Sequence, residues 1–173
     1  MEGFHDTAFA SADAMPELGI VEAMDRFALA GKARAVARVE DYTSFVNSLP
    51  ICSFMSLTVA GIHNTGELTG MLAAATGWKD IGLEEELAIG ERNYVLARAF
   101  TMRESGGQAV DRLPFKITQP MPEGATKGQR ISADELKSAL AEYYQIRGWS
   151  EDGRPTAKKL RELGLDAVSG SLR

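Results

Sequence analysis

With 173 residues and 45% hydrophobic content, the chain is long enough to bury a core and short enough to be one domain. A net charge of −5 and a pI of about 5.1 leave no sequence-wide positive field for phosphates, which argues against nucleic acid as a partner. The single cysteine excludes an internal disulfide, no apolar stretch is long enough for a membrane span, and Glu2, His5 and Asp6 stand where a signal peptide needs basic and then apolar residues. The expectation is a cytoplasmic protein.

Residues 1–15 are small and polar without a sustained period and read as an N-terminal extension to a domain covering residues 16–173. Residues 15–31 read as a connector with apolar anchors at Met24, Phe27 and Leu29, ended by Gly31. Residues 32–49 place Ala35, Val36, Val39, Tyr42, Phe45, Val46 and Leu49 at three-and-four spacing, one apolar face of a helix. Pro50 should end that helix and present Ile51 and Cys52 on a bend. On its residues alone, a lone cysteine between Ile51 and Phe54 reads first as a packed core thiol.

The short apolar run at 54–60 is assigned to helix from its neighbours, and His63 to a loop or cap. Thr65 and Glu67 start a short helix with Leu68, Met71, Leu72 and Ala75 as its apolar side, stopped at Gly77. Residues 83–102 form the longest helical stretch. Leu87, Ala88, Tyr94, Val95 and Phe100 are expected inside, and the Glu84-Glu85-Glu86 run is expected on a solvated face that suits the positive end of the helix. Gly90 should weaken this helix by about 1 kcal/mol relative to alanine.

Residues 105–130 carry Gly106, Gly107, Pro114, Pro120, Pro122, Gly124 and Gly128 and predict a long surface loop in extended conformation. Lys127 and Arg130 within it are weak grounds for an anion contact. Ser132-Ala-Asp-Glu135 is a capping box opening a helix with Leu136, Leu140, Tyr143, Tyr144 and Ile146 that stops near Gly148, after which Trp149 docks. A last short helix with Leu160 and Leu163 inside follows the turn at residues 152–156 and ends at Gly164. The fold class is mainly α: a single compact multi-helix domain with a long Pro/Gly-rich surface loop.

The chain contains no phosphate loop, no dinucleotide fingerprint, no His-Glu-x-x-His and no Gly-x-Ser-x-Gly. One Cys and two His, His5 and His63, fall short of the four ligands of an iron–sulfur cluster or a closed zinc site. Composition and spacing therefore stop at a helical domain.

The order of particular segments goes further. Residues 89–104 (Ile-Gly-Glu-Arg-Asn-Tyr-Val-Leu-Ala-Arg-Ala-Phe-Thr-Met-Arg-Glu) are followed by Asp111-Arg-Leu-Pro114, Glu142-Tyr-Tyr-Gln-Ile-Arg-Gly-Trp149, Gly153-Arg-Pro-Thr156 and Leu163-Gly-Leu165. In this order and spacing, from about Pro16 to Val168, the chain resembles the C-terminal domain of the aldehyde ferredoxin oxidoreductase family, the tungsten or molybdenum bis-pterin enzymes. The family pattern Asp-x-x-Gly-Leu-Cys falls on Asn47-Ser-Leu-Pro50-Ile51-Cys52, where Asn, Pro and Ile replace Asp, Gly and Leu.

The resemblance implies that Cys52 is one ligand of a [4Fe-4S] cluster whose other three come from a preceding domain, and that Asn47, Pro50 and Ile51 line a pterin. It implies His5 as a catalytic histidine near the metal. The parent would oxidise an aldehyde to a carboxylate and pass electrons to ferredoxin or a similar acceptor, with N-terminal and middle domains that this chain lacks, so the isolated chain should be inactive. The altered 47–52 loop leaves open a free-standing, non-catalytic helical subunit or interaction module.

Overall fold

The computed structural model describes residues 16–22, 24–25, 28–51, 65–107 and 111–170. The extension at 1–15 with His5, the apolar run at 54–60, Cys52 and His63 lie outside them. Among the described residues a 3₁₀ turn, Pro16–Leu18, precedes six helices: α1 (Ala33–Asn47), α2 (Thr65–Thr76), α3 (Leu83–Glu104), α4 (Ala133–Arg147), α5 (Ala157–Glu162) and α6 (Asp166–Ser169). No strand forms among the described residues; Trp149 and Pro155 make an isolated antiparallel bridge.

Helix α1 packs chiefly along α3 and also against α4. Its apolar stripe of Ala35, Val39, Tyr42, Phe45 and Val46 joins Leu18, Ile20, Leu68 and Leu87 in a first core, with Met24 and Leu49 packed at its margin. A second core gathers Val95, Ala99 and Met102 of α3 with Tyr144, Trp149, Leu160 and Leu163. Helix α3 thus belongs to both. Where it crosses α1 the backbones nearly touch: a Cβ on Gly90 would lie 1.8 Å from the Asp41 carbonyl oxygen, so only glycine fits.

The start of α4 is the expected capping box, Ser132 accepting from the Glu135 N–H at 3.2 Å while Glu135 accepts from the Ser132 N–H at 2.8 Å. Its end is set by Gly148 at φ 66°, left-handed as the closing residue of such a helix requires.

Four expectations change. Glu86 is not solvated but fully buried, because α2 covers that side of α3 and the Thr69 hydroxyl donates to it at 2.6 Å. Phe100 is 58% exposed rather than inside, since the α3 face that meets α4 and α5 runs through Val95, Ala99 and Met102 instead. On α2, Leu68 is buried and Leu72 is packed at the core margin, whereas Met71 and Ala75 face outward, because α2 contacts α3 along a single narrow edge. The 105–130 loop is also more folded than an extended chain. It contains a 3₁₀ turn, Phe115–Thr118, and a closed loop in which Gly128 N–H donates to Met121 O and Met121 N–H to Gln129 O, both at 2.9 Å.

Candidate functional site

Helix α1 ends at Asn47, a full turn before Cys52, and its exit is tightly specified. The Ser48 N–H and hydroxyl both donate to Phe45 O, at 2.9 and 2.6 Å, and Leu49 N–H donates to Val46 O at 3.0 Å. Asn47 and Pro50 are exposed while Leu49 and Ile51 turn onto the first core. The bend therefore shows a side-chain amide and a proline ring outward, anchored from below by two apolar side chains. Asn47 can both accept and donate, unlike the aspartate of the family pattern. Cys52, the next residue, and His5 lie outside the described residues.

The donor set fits one contribution to a cluster and no more. A [4Fe-4S] cluster takes four thiolates, and the chain has one cysteine. Among the described residues no three His, Cys, Asp or Glu side chains converge to hold a metal.

What fixes α1, and with it the bend, is a buried charge network that no sequence window displays. Arg147, the last residue of α4, is 1% exposed. Its guanidinium donates to Glu40 at 2.8 Å, to Asp41 at 2.5 Å, to the Ala37 carbonyl at 3.0 Å and to the Tyr143 hydroxyl at 3.0 Å. Glu40, also 1% exposed, accepts from Tyr94 at 2.8 Å and Tyr143 at 2.5 Å. A charge pair so deep must be hydrogen-bonded on every side, and here Asp41, the Ala37 carbonyl, Tyr94 and Tyr143 surround it.

Asp41 sits at the edge of this network, where a cavity of about 250 Å³ opens between Arg34, Arg38, Glu84 and Glu91. Burial pushes its carboxyl up to about 6, against the opposing pull of Arg147, with Glu91 and Glu40 adding to the rise.

A second clamp holds the start of the long loop. Arg98 donates to Asp111 through both terminal nitrogens and to Gly153 O through Nε at 2.9 Å, and Tyr144 donates to Asp111 at 2.5 Å. Burial pulls the Asp111 carboxyl upward, but the hydrogen bonds from Arg98 and Tyr144 hold it below its ordinary value. Arg92 reaches Leu163 O at 2.9 Å and Arg154 reaches Gly107 O at 3.2 Å.

The segments singled out in sequence at 89–104, 111–114, 142–149, 153–156 and 163–165 are thus one three-dimensional unit. Sequence reading named Tyr143 and Tyr144 only as residues of the helix that the capping box opens, and gave no role to Glu40, Asp41, Arg98 or Arg147. Arg98 and Arg147 were signalled only by their place in the 89–104 and 142–149 segments, and Glu40 and Asp41 fall in none of these segments.

The comparisons agree with that unit. The family model for aldehyde ferredoxin oxidoreductase, domains 2 and 3, matches residues 3–165. A tungsten-containing aldehyde ferredoxin oxidoreductase of Pyrococcus horikoshii is 37% identical over 137 residues, 78% of this chain and 21% of the relative. The enzyme of the same name in Pyrococcus furiosus is 36% identical over 136 residues, again 78% and 21%. An aliphatic sulfonate oxidoreductase, WOR-like subunit, of Pyrococcus furiosus is 29% identical over 129 residues, 70% of this chain and 20% of that one. The chain spans about a fifth of the length of the curated relatives it matches. With a family match over nearly its whole length and the shared segments packed into one unit, this chain belongs to the aldehyde ferredoxin oxidoreductase family.

Proposed function

We propose that the chain is the C-terminal part of a tungsten or molybdenum oxidoreductase that converts an aldehyde to a carboxylate and passes the electrons through a [4Fe-4S] cluster to ferredoxin or a similar acceptor. The observation that carries the reading is the bend after α1. It is held by hydrogen bonds at Ser48 and Leu49 and by the Arg147 network behind α1, and it leads directly into the only cysteine of the chain. Cys52 supplies one cluster ligand to a site completed by other domains. Asn47 and Pro50 face the pterin, Ile51 supports the bend, and His5 serves near the metal. When bound, the metal and pterin supply the two-electron chemistry; this chain's residues position one thiolate and close one side of the site. The isolated chain has no activity of its own in this reading.

Two relatives whose names specify aldehyde are 37% and 36% identical, against 29% for the relative named for aliphatic sulfonates, which favours an aldehyde as substrate. The test is Cys52→Ala in the intact parent enzyme, followed by iron content and the EPR spectrum of the reduced cluster. Loss or conversion of the [4Fe-4S] signal is expected. A variant with full iron content and an unchanged spectrum would remove Cys52 from the ligand set and, with it, the reading of the bend.

A further inference from the structure

Between the two charge clamps lies an aromatic group that forms part of the second core. Three of the four tyrosines and one of the two tryptophans in the chain stand together. Trp149 is at the centre, its ring centroid 6.4 Å from Tyr94, 5.7 Å from Tyr143 and 6.0 Å from Tyr144; Tyr143 and Tyr144 are 6.2 Å apart. Every one of these tyrosine hydroxyls donates to a carboxylate: Tyr94 and Tyr143 to Glu40, Tyr144 to Asp111.

That pairing has a chemical meaning. A phenol loses its proton when it loses an electron, so a tyrosine bonded to a carboxylate is oxidised to a neutral radical without leaving a stranded charge. Trp149 differs. Its buried Nε1 has no hydrogen-bond partner among the described residues and the Arg98 guanidinium lies 4.8 Å from its ring centroid, so a tryptophan radical there is disfavoured both in shedding its proton and in keeping its positive charge. Arg147, 4.6 Å from the centroid of Tyr94, likewise disfavours any cationic radical there.

We propose that Tyr143 and Tyr144, in edge contact beside Trp149, form a path by which a one-electron oxidising equivalent generated in the protein interior is moved to the Asp111 edge and there quenched by a thiol. In the first step a one-electron oxidant, of the kind produced when a reduced metal centre meets peroxide, takes an electron from Tyr143 as its proton passes to Glu40 Oε2. Tyr144 then supplies an electron to Tyr143, which recovers its proton from Glu40, while the Tyr144 proton passes to Asp111 Oδ2. At the edge a thiolate gives one electron to the Tyr144 radical, the proton returns from Asp111, and a thiyl radical departs. Burial raises the hydroxyl pKa of all three tyrosines, Tyr144 to about 12, so each begins protonated, as this scheme needs.

The experiment uses the full 173-residue chain, oxidised by photogenerated ruthenium(III) tris-bipyridine, with EPR and transient absorption as readouts. A neutral tyrosyl signal is expected, forming several-fold more slowly in deuterated solvent and removed by added glutathione. Tyr42→Phe, which changes the one tyrosine outside the array, should leave that signal intact. Tyr144→Phe should leave an interior radical but slow its quenching by glutathione several-fold, a change that a merely structural tyrosine would not cause. No tyrosyl signal, a tryptophan signal in its place, loss of the signal in Tyr42→Phe, or unaltered quenching in Tyr144→Phe would each overturn the proposal. Should one variant fail to fold, by circular dichroism, the wild-type isotope effect and the other variant still decide it.

Discussion

Gly90 offers a test in which local and tertiary reasoning predict opposite signs. Helix propensity alone makes Gly90→Ala stabilising by about 1 kcal/mol. In the fold, the new methyl carbon would lie 1.8, 2.6 and 3.1 Å from the carbonyl oxygen, carbonyl carbon and Cα of Asp41, all backbone atoms that no rotamer change can move. Overpacking costs about 1–3 kcal/mol, and a clash between two helix backbones belongs at the upper end. Taking about 3 kcal/mol and returning about 1 for propensity leaves a net loss of about 2 kcal/mol. For a chain of this size that is a fall in Tm of roughly 4–8 °C. Gly70→Ala in α2 is the control, since among the described residues nothing lies within 4 Å of its added carbon. It should raise Tm by about 2–4 °C. Calorimetry or thermal circular dichroism on the three proteins decides. A Gly90→Ala protein as stable as wild type would refute the close crossing of α1 and α3.

Other substitutions probe the charges and the caps. Arg147→Met strands a buried Glu40 and should cost about 3–5 kcal/mol in urea unfolding, part of it recovered when Glu40→Gln is added; equal losses in the single and double variants would contradict this. Asp41 has its pKa raised from 3.8 to about 6, so between those values the folded state binds more protons than the unfolded one. Its contribution to stability is therefore full below about pH 4 and is lost as the pH rises through 6, by at most about 3 kcal/mol. Asp41→Asn should remove that slope; parallel stability profiles for the two proteins from pH 4 to 7 would count against it. Ser132→Ala removes the hydroxyl acceptor of the capping box and should cost about 1 kcal/mol, or about 2–4 °C in Tm.

Much of the helical framework was legible because its signals are local. The α1 stripe at Ala35, Val39, Tyr42, Phe45 and Val46 is buried as its spacing required, and Ser132 caps α4 through a partner three residues away. What was not legible depends on residues far apart in the chain. A glutamate triplet at a helix start looks solvated until α2 is laid over it and Glu86 disappears from view. Glu40 and Arg147 look like surface charges because they meet each other, and most of their other partners, only across large gaps in the chain, 107 residues in their own case. Phe100 follows the apolar pattern yet points outward, since periodicity defines a face without saying how wide the neighbouring helix will cover it. The candidate site was legible in a different way. Nothing about Cys52 itself separates a ligand from a packed thiol, and it was the sequence around α3, Asp111 and Trp149 that identified the family and gave the cysteine its context.

The membership of α3 in both cores has a consequence for how the molecule comes apart. At 22 residues the helix is about 33 Å long, enough to run the length of a small domain. Its first turns hold Leu87 in one core and its last hold Met102 in the other, so neither core can open while α3 stays folded in the remaining one without tearing a continuous helix. The two clusters behave as one cooperative unit rather than as separable foldons. The amides slowest to exchange with solvent should then lie midway along α3, near the Gly90 crossing, and not at the centre of either core.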